Sequence, residues 1–379
     1  GGIDVHRSTE GGINWGKISY WNGGDCDEYV HADIHTIVSR PGFPDQILVG
    51  NDGGMDYSVD AGDKNANPDF QRRVRGYNTV QFYYGAMANE ANSNVMIAGA
   101  QDNGTQRFTE PGLNSTRRVI GGDGGFTAIN PSDANIQVGS FVFNTYDLST
   151  DGGKSFNRMS ADQSSGRFTN PTDMDWPAGT LYSAADADEL GRITRIPENP
   201  SAHSKVPADL GGGRISSLKV SPYTDNRVFV GTSDANGGRI FIIDNAESNV
   251  TSVTEITGDL GNRGSFLRNI DIGASDDQIL ITFSNFGVPS VFETMDGGTT
   301  WINKEDNLPD VPVRWGLYNP QDRKQVLLAT DLGIWSTNDI TAANPGWETS
   351  NAGLVSVRVD HLSYRASDEM VMATTHGRG

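Results

Sequence analysis

Short apolar runs recur along the chain, and each leads into a small-polar-Gly step. The first full copy reads Ile47-Leu48-Val49-Gly50-Asn51-Asp52-Gly53-Gly54. Val95–Gly104, Val228–Thr232, Gln278–Thr282, Val326–Gly333 and Met370–Gly377 repeat it, with less regular copies near Gln137–Tyr146 and Leu181–Ile193. The runs are strand-length and rich in β-branched residues, and Gly, Asn and Asp bound them, which predicts strands and turns. No stretch carries a helical period strong enough to predict a helix. The steps fall at intervals averaging about 47 residues, the length of a four-stranded propeller blade.

A second repeated stretch sits between these strands. Ser149-Thr150-Asp151-Gly152-Gly153-Lys154-Ser155-Phe156 has the form hydroxyl-x-acid-x-Gly-x-x-aromatic. Ser8, Glu10, Gly12 and Trp15 occupy the same places in an earlier copy, and Thr294, Asp296, Gly298 and Trp301 in a later one. Ser58-Val59-Asp60-Ala61-Gly62 lacks the aromatic. In a tight turn the acid accepts hydrogen bonds from backbone N–H groups, and Gly supplies a positive φ. The pattern resembles the Asp-box, or BNR, motif of β-propellers, and the resemblance implies that these acids are structural.

The blade is read as an inner strand ending in a turn such as Asn130-Pro131 or Ser221-Pro222, then the apolar strand, a third strand, the acid-bearing turn and an outer strand. The expected fold is all-β: one propeller over residues 1–379, with eight four-stranded blades and seven as the alternative. The N-terminus supplies a third strand and its turn. The C-terminus supplies Val355–Tyr364 and Met370–Ala373, so the two ends are expected to complete one blade and leave no wide sheet edge. The loops Ser160–Arg167 and Ile196–Gly213 are expected to project from a face. The opening Gly-Gly-Ile, inside a repeat, suggests a piece of a larger exported protein.

Composition narrows the partners. The 379 residues include 46 Gly, and 48 acids against 29 bases give a formal charge of −19. That charge disfavours nucleic acid and anionic membranes as partners. No apolar run reaches membrane-spanning length. Cys26 is the only cysteine, so an internal disulfide and a multi-cysteine metal site are both excluded.

Candidate chemistry concentrates at inner strands and glycine-flanked acids. Alternation in Val30-His31-Ala32-Asp33-Ile34-His35 is expected to put His31, Asp33 and His35 on one face. Adjacent members would be about 6.6–6.8 Å apart, so further metal ligands would have to come from other blades. Asp33, Asp52, Asp102 and Asp123 form the candidate metal set, and calcium is the ion that such carboxylates suit. Arg268, Arg314 and Arg358 stand on inner strands and are expected to pair with the acids of the early blades. The early Arg-Ile-Pro segment of sialidases is missing, since Arg195-Ile196-Pro197 lies mid-chain. Asp33, Asp52 and Asp123 are the carboxylates that a glycoside hydrolase would use as acid and base. Trp21, Tyr83, Tyr84, Trp176 and Trp315 are the aromatics on which a sugar would stack. Gly211-Gly212-Gly213 precedes a strand, so it is no phosphate-binding loop-to-helix signature.

The succession His31–His35, Gly50–Gly54, Gln81-Phe82-Tyr83, Gly99–Thr105 and Gly121–Gly125 resembles a group of secreted bacterial BNR-repeat proteins. More distantly, the repeats are similar to those of xyloglucan-hydrolysing endoglucanases, sialidases and sortilin-type receptors. The resemblance implies a propeller exported or displayed at a bacterial cell surface. The expected function is non-catalytic binding of a glycan or protein at a channel mouth, through His31, His35, Gln81, Tyr83, Gln101, Arg268, Arg314, Trp315 and His376. Polysaccharide hydrolysis, and a scaffold role beside other domains of the same exported protein, are the alternatives.

Overall fold

The computed structural model describes every residue except 1, 24–25, 78, 113–115, 187, 261–263, 265 and 379. The described residues form strands and turns only, without a helix. Thirty-two strands make nine antiparallel sheets, seven of four strands and two of two. Each four-stranded sheet takes its strands in chain order. With the C-terminal pair, they supply the eight blade-like sheets that the repeat predicts. The chain divides into two compact units, Gly1–Thr79 and Val80–Gly379.

Unit one holds the hairpin His6–Arg7 and Gly16–Lys17, and a sheet of Ile34–Arg40, Phe43–Asn51, Gly54–Ser58 and Gln71–Arg72. Val5, Ile18, Val30, Ile34, Ile47, Val49, Ala61 and Phe70 form its core.

Unit two holds six four-stranded sheets and the pair Val359–Arg365 and Met370–Thr375. Its inner strands are Phe82–Met87, Thr127–Ile129, Thr172–Asp175, Arg214–Val220, Leu267–Ile272, Val313–Asn319 and Val359–Arg365. The last lies against both Val313–Asn319 and Phe82–Met87, so a ring of seven sheets closes inside this unit. The N-terminal hairpin and the C-terminal pair, expected to complete one blade, thus belong to different units. The loops expected at 160–167 and 196–213 contain strand: Asn157–Asp162 and Ser204–Val206 are outer strands.

The core of unit two is a series of apolar slabs between neighbouring sheets. Ile279, Leu280, Ile281 and Phe283 are fully buried because a central strand packs on both faces. Burying each such side chain contributes about 1.5–3 kcal/mol. The glycine of the repeated step serves this packing. A Cβ on Gly231 would meet Leu267 Cδ2 at 2.5 Å, so its absence lets the next inner strand approach.

An inner strand is also a sheet edge whose backbone needs partners. Side chains of the preceding sheet supply them. Asp173 Oδ2 accepts from Val220 N at 2.8 Å. Asn269 Oδ1 accepts from Gly316 N, and Asp271 Oδ2 from Tyr318 N, both at 2.9 Å. The repeated turns lie between third and outer strands. Ser149 Oγ accepts from Gly153 N at 2.9 Å, and Asp151 Oδ1 accepts from Lys154 N and Ser155 N at 3.0 Å. Thr294 and Asp296 repeat this with Gly298 and Thr300. Ser8 accepts from Gly12 N at 2.9 Å, and Glu10 from Asn14 at 2.6 Å. The aromatics differ: Trp301 is buried and donates to Ile256 O, whereas Trp15 is exposed and donates to Gly12 O.

Candidate functional site at the mouth of unit two

The inner strands share a defect that places chemistry. Pairing between inner and second strand skips one residue in six sheets. The skipped residue is His35 in unit one. In unit two it is Tyr83, Ser216, Arg268, Arg314 and Asp360. Each is a β-bulge near the start of the inner strand, after one paired residue in five sheets and after two at Ser216. A bulge bends its strand and re-aims the extra side chain out of the alternation. Apart from Ser216, the skipped residues of unit two are ionisable or aromatic, on four inner strands consecutive round the ring.

Tyr83, Arg314 and Asp360 share one polar network. Tyr83 donates its hydroxyl to Gln101 Oε1, and its ring centroid lies 6.0 Å from that of His376. Gln81 forms a backbone bridge to His376. The Asp360 carboxylate has no solvent exposure, and its Oδ1 accepts from Arg358 Nη2 at 2.6 Å. Asp360 Oδ2 and His376 Nδ1 stand 3.6 Å apart, both buried and without a hydrogen-bond partner. Arg314 grips Asp331 with two nitrogens at 2.5 and 3.2 Å, and Arg358 Nε reaches the same carboxylate at 4.0 Å. Arg314 and Arg358 therefore pair with acids of their own and the adjoining sheet, Asp331 and Asp360, and not as expected with those of early blades, while Arg268 makes no ion pair. Burial pushes the Tyr83 hydroxyl up, aided by the Asp360 charge. Burial and the Arg358 charge push His376 down.

The residues that follow Tyr83, Arg314 and Asp360 in sequence form an aromatic cluster. Trp315 and His361 have centroids 4.3 Å apart, and Tyr84 lies 5.0 Å from His361 and 5.9 Å from Trp315. Burial, with Lys219 and Arg268 nearby, pushes His361 down to about 3. Tyr84 is buried, and Trp176 and Trp315 are partly buried against the same apolar slab.

The other candidates lie elsewhere. In unit one the strand begins at Ile34, Asp33 has a φ of 62°, and His35 is the bulge residue. The alternation expected to align His31, Asp33 and His35 on one face therefore does not exist. His31 Nδ1 lies 3.1 Å from Ala32 O, and His35 Nε2 is paired with Asp52 Oδ1. In unit two Asp123 Oδ1 accepts from Asp102 N at 2.8 Å, a bond between two loops 21 residues apart. Of the four acids expected to hold calcium, Asp33 and Asp52 belong to residues 1–79 and Asp102 and Asp123 to residues 80–379.

Sequence reading did not single out Asp331 and Asp360, nor Arg167 and Arg214, which lie near Arg268. A signal for Asp360 exists: Phe82-Tyr83-Tyr84, Leu267-Arg268-Asn269, Val313-Arg314-Trp315 and Val359-Asp360-His361 align as apolar, skipped residue, next residue.

No protein-family model matches the chain, and no curated protein matches it in sequence. Solved structures do match in fold. A GH74 xyloglucanase from Xanthomonas campestris is 14% identical with a TM-score of 0.59, covering 99% of this chain and 54% of its own. A Niastella koreensis GH74 enzyme is 17% identical with a TM-score of 0.55, covering 83% and 53%. YCF48 bound to D1 peptide is 13% identical with a TM-score of 0.55, covering 80% and 92%. The chain thus spans about half the length of the GH74 structures. At these identities the likeness shows the fold alone, and that fold is the β-propeller.

Proposed function

We propose that unit two is a non-catalytic recognition module that takes an extended segment of a partner protein at the mouth formed by Tyr83, Gln101, Arg314, Arg358, Asp360 and His376. The observation that carries this reading is the set of bulges, which re-aims one side chain per sheet over consecutive sheets. A mouth lined by paired charges, a tyrosine and a histidine suits backbone and polar groups of a peptide. The match to YCF48, which has been solved bound to a D1 peptide, fits the reading at the level of fold.

Hydrolysis of a polysaccharide fits less well. It requires two carboxylates facing each other across the sugar, one of them protonated. At this mouth Asp331 and Asp360 both reach Arg358, at 4.0 and 2.6 Å, so the two carboxylates share one guanidinium instead of flanking an open cleft.

The test is selection of a random displayed-peptide library against the whole chain, with binding of the selected peptides measured by calorimetry. Tyr83→Phe and Arg314→Gln are expected to weaken binding while the fold persists. Reducing ends released from a polysaccharide panel, or peptides indifferent to both variants, would overturn the reading.

A further inference from the structure

Several arginines of unit two are matched to acids. Arg314 has Asp331, Arg358 has Asp360, Arg365 has Asp368, and Arg227 has both Asp244 and Asp276. Three others are not, and these three lie close to one another. Among the described residues, Arg167, Arg214 and Arg268 have no ion pair at all. In a chain with 48 acids against 29 bases, that is not a shortage of partners.

The fold holds the three together. Arg167 reaches over the start of the strand Arg214–Val220, donating to Ile215 O at 2.5 Å, Arg214 O at 3.2 Å and Ser233 Oγ at 2.6 Å. Its guanidinium carbon lies 5.3 Å from the Phe266 ring centroid. Phe266 bridges to Ser233 and stands two residues before Arg268. Arg268 is itself the bulge residue of its strand, and its Nε is buried with no hydrogen-bond partner. The nearness of Arg214 and Arg268 adds to burial in pushing Arg167 down to about 10. Gathering cations without a counter-charge costs stability, and a buried donor without an acceptor adds to that cost. Both costs are offset when an anion arrives, and a guanidinium presents a fork of donors suited to a carboxylate.

We propose that Arg268, backed by Arg214 and Arg167, receives a carboxylate of an acidic peptide segment at the mouth of the ring. The inference rests on the peptide-binding reading above and names the chemistry of the peptide. In that arrangement Arg268 makes the direct contact from its bulge, Arg167 is fixed by the strand carbonyls and Ser233, and Arg214 adds charge from the rim.

The experiment uses the full chain and fluorescein-labelled peptides, a glutamate decamer and a glutamine decamer, read by polarisation in low and physiological salt. The expected result is binding of the glutamate peptide over the glutamine peptide, weakened by added salt. Arg268→Gln should reduce it by about tenfold or more, the loss of a charge-assisted hydrogen bond. The exposed Arg214→Gln should reduce it by less, and Arg117→Gln, on an outer strand, should leave it unchanged. Thermal melting of each variant separates lost binding from lost fold. Peptides selected from the random library that respond to Tyr83→Phe but show no acidic preference and ignore Arg268→Gln would overturn this inference and leave the mouth reading standing. No selected peptide at all would overturn both. An oligogalacturonate that binds through Arg268 where the glutamate decamer does not would assign the site to an acidic glycan and overturn the inference.

Discussion

The Asp271 carboxylate accepts a hydrogen bond from the Tyr318 backbone N–H at 2.9 Å, across the gap between two neighbouring sheets. Its other oxygen lies 3.3 Å from Lys219 Nζ, on the inner strand of the sheet before. One side chain thus joins three consecutive sheets of the ring. Asp271→Ala would leave a buried N–H unsatisfied and Lys219 without its nearest carboxylate. We expect a loss of about 3–5 kcal/mol, as for a broken buried pair, read as a lower urea midpoint. Asp271→Asn keeps an acceptor for Tyr318 and should cost less. Equal midpoints for wild type and the alanine variant would remove this side chain from the ring's stability.

The histidines give the ring a pH dependence. His361 is pushed down to about 3 by burial, Lys219 and Arg268, and burial also lowers His203. A histidine whose folded pKa lies below its unfolded value favours the folded state while it is neutral. That contribution is full above the unfolded pKa of about 6.5 and is lost as pH falls from there towards the folded value. We expect thermal stability to fall between pH 6.5 and pH 3, and His361→Gln to flatten the slope over that range. An unchanged slope in the variant would show that other groups set it.

The acid-bearing turns are structural in this fold, and their glycines test that. Gly153 has a φ of 76°, and a Cβ there would meet Gln137 Oε1 at 2.4 Å. Gly153→Ala should destabilise by more than about 1 kcal/mol, because alanine is strained at positive φ. Peptide binding at the mouth should survive in the fraction that folds. Loss of binding without loss of stability would tie the turn to function.

At the mouth, Tyr83→Phe removes the hydroxyl that donates to Gln101 and retains the ring beside His376. We expect a melting temperature within a few degrees of wild type, since a net hydrogen bond contributes about 1 kcal/mol. Calorimetry with a selected peptide should show at least a severalfold weaker Kd. A strongly destabilised variant would make Tyr83 a core residue first.

Several inner-strand residues near Asp360 were legible in the chain. Gln81, Tyr83, Gln101, Arg314 and His376 were all singled out, and the structure joins them in one network with Asp360. The reason is that inner strands can be located from the repeat, and polar residues on them stand out against an apolar background. His31 and His35 were placed wrongly because alternation was extended through Asp33, whose positive φ breaks the strand before it starts. Asp360 was missed because Arg358 alone was singled out in that segment, and the bulge that re-aims Asp360 is set by strand pairing.

By itself, the order of residues determined the all-β class, the strand and turn sequence of each sheet and the acid-bearing turns. These depend on period-two burial, glycine at positive φ and side-chain acceptors within a few residues, all of which are local. Tertiary structure alone decided that seven sheets close on one another within 80–379, that Arg314 and Arg358 meet Asp331 and Asp360, and that Arg167, Arg214 and Arg268 gather without an acid. Those outcomes depend on which inner strand lies beside which and on a one-residue skip in pairing, and neither is encoded within the span of a single repeat.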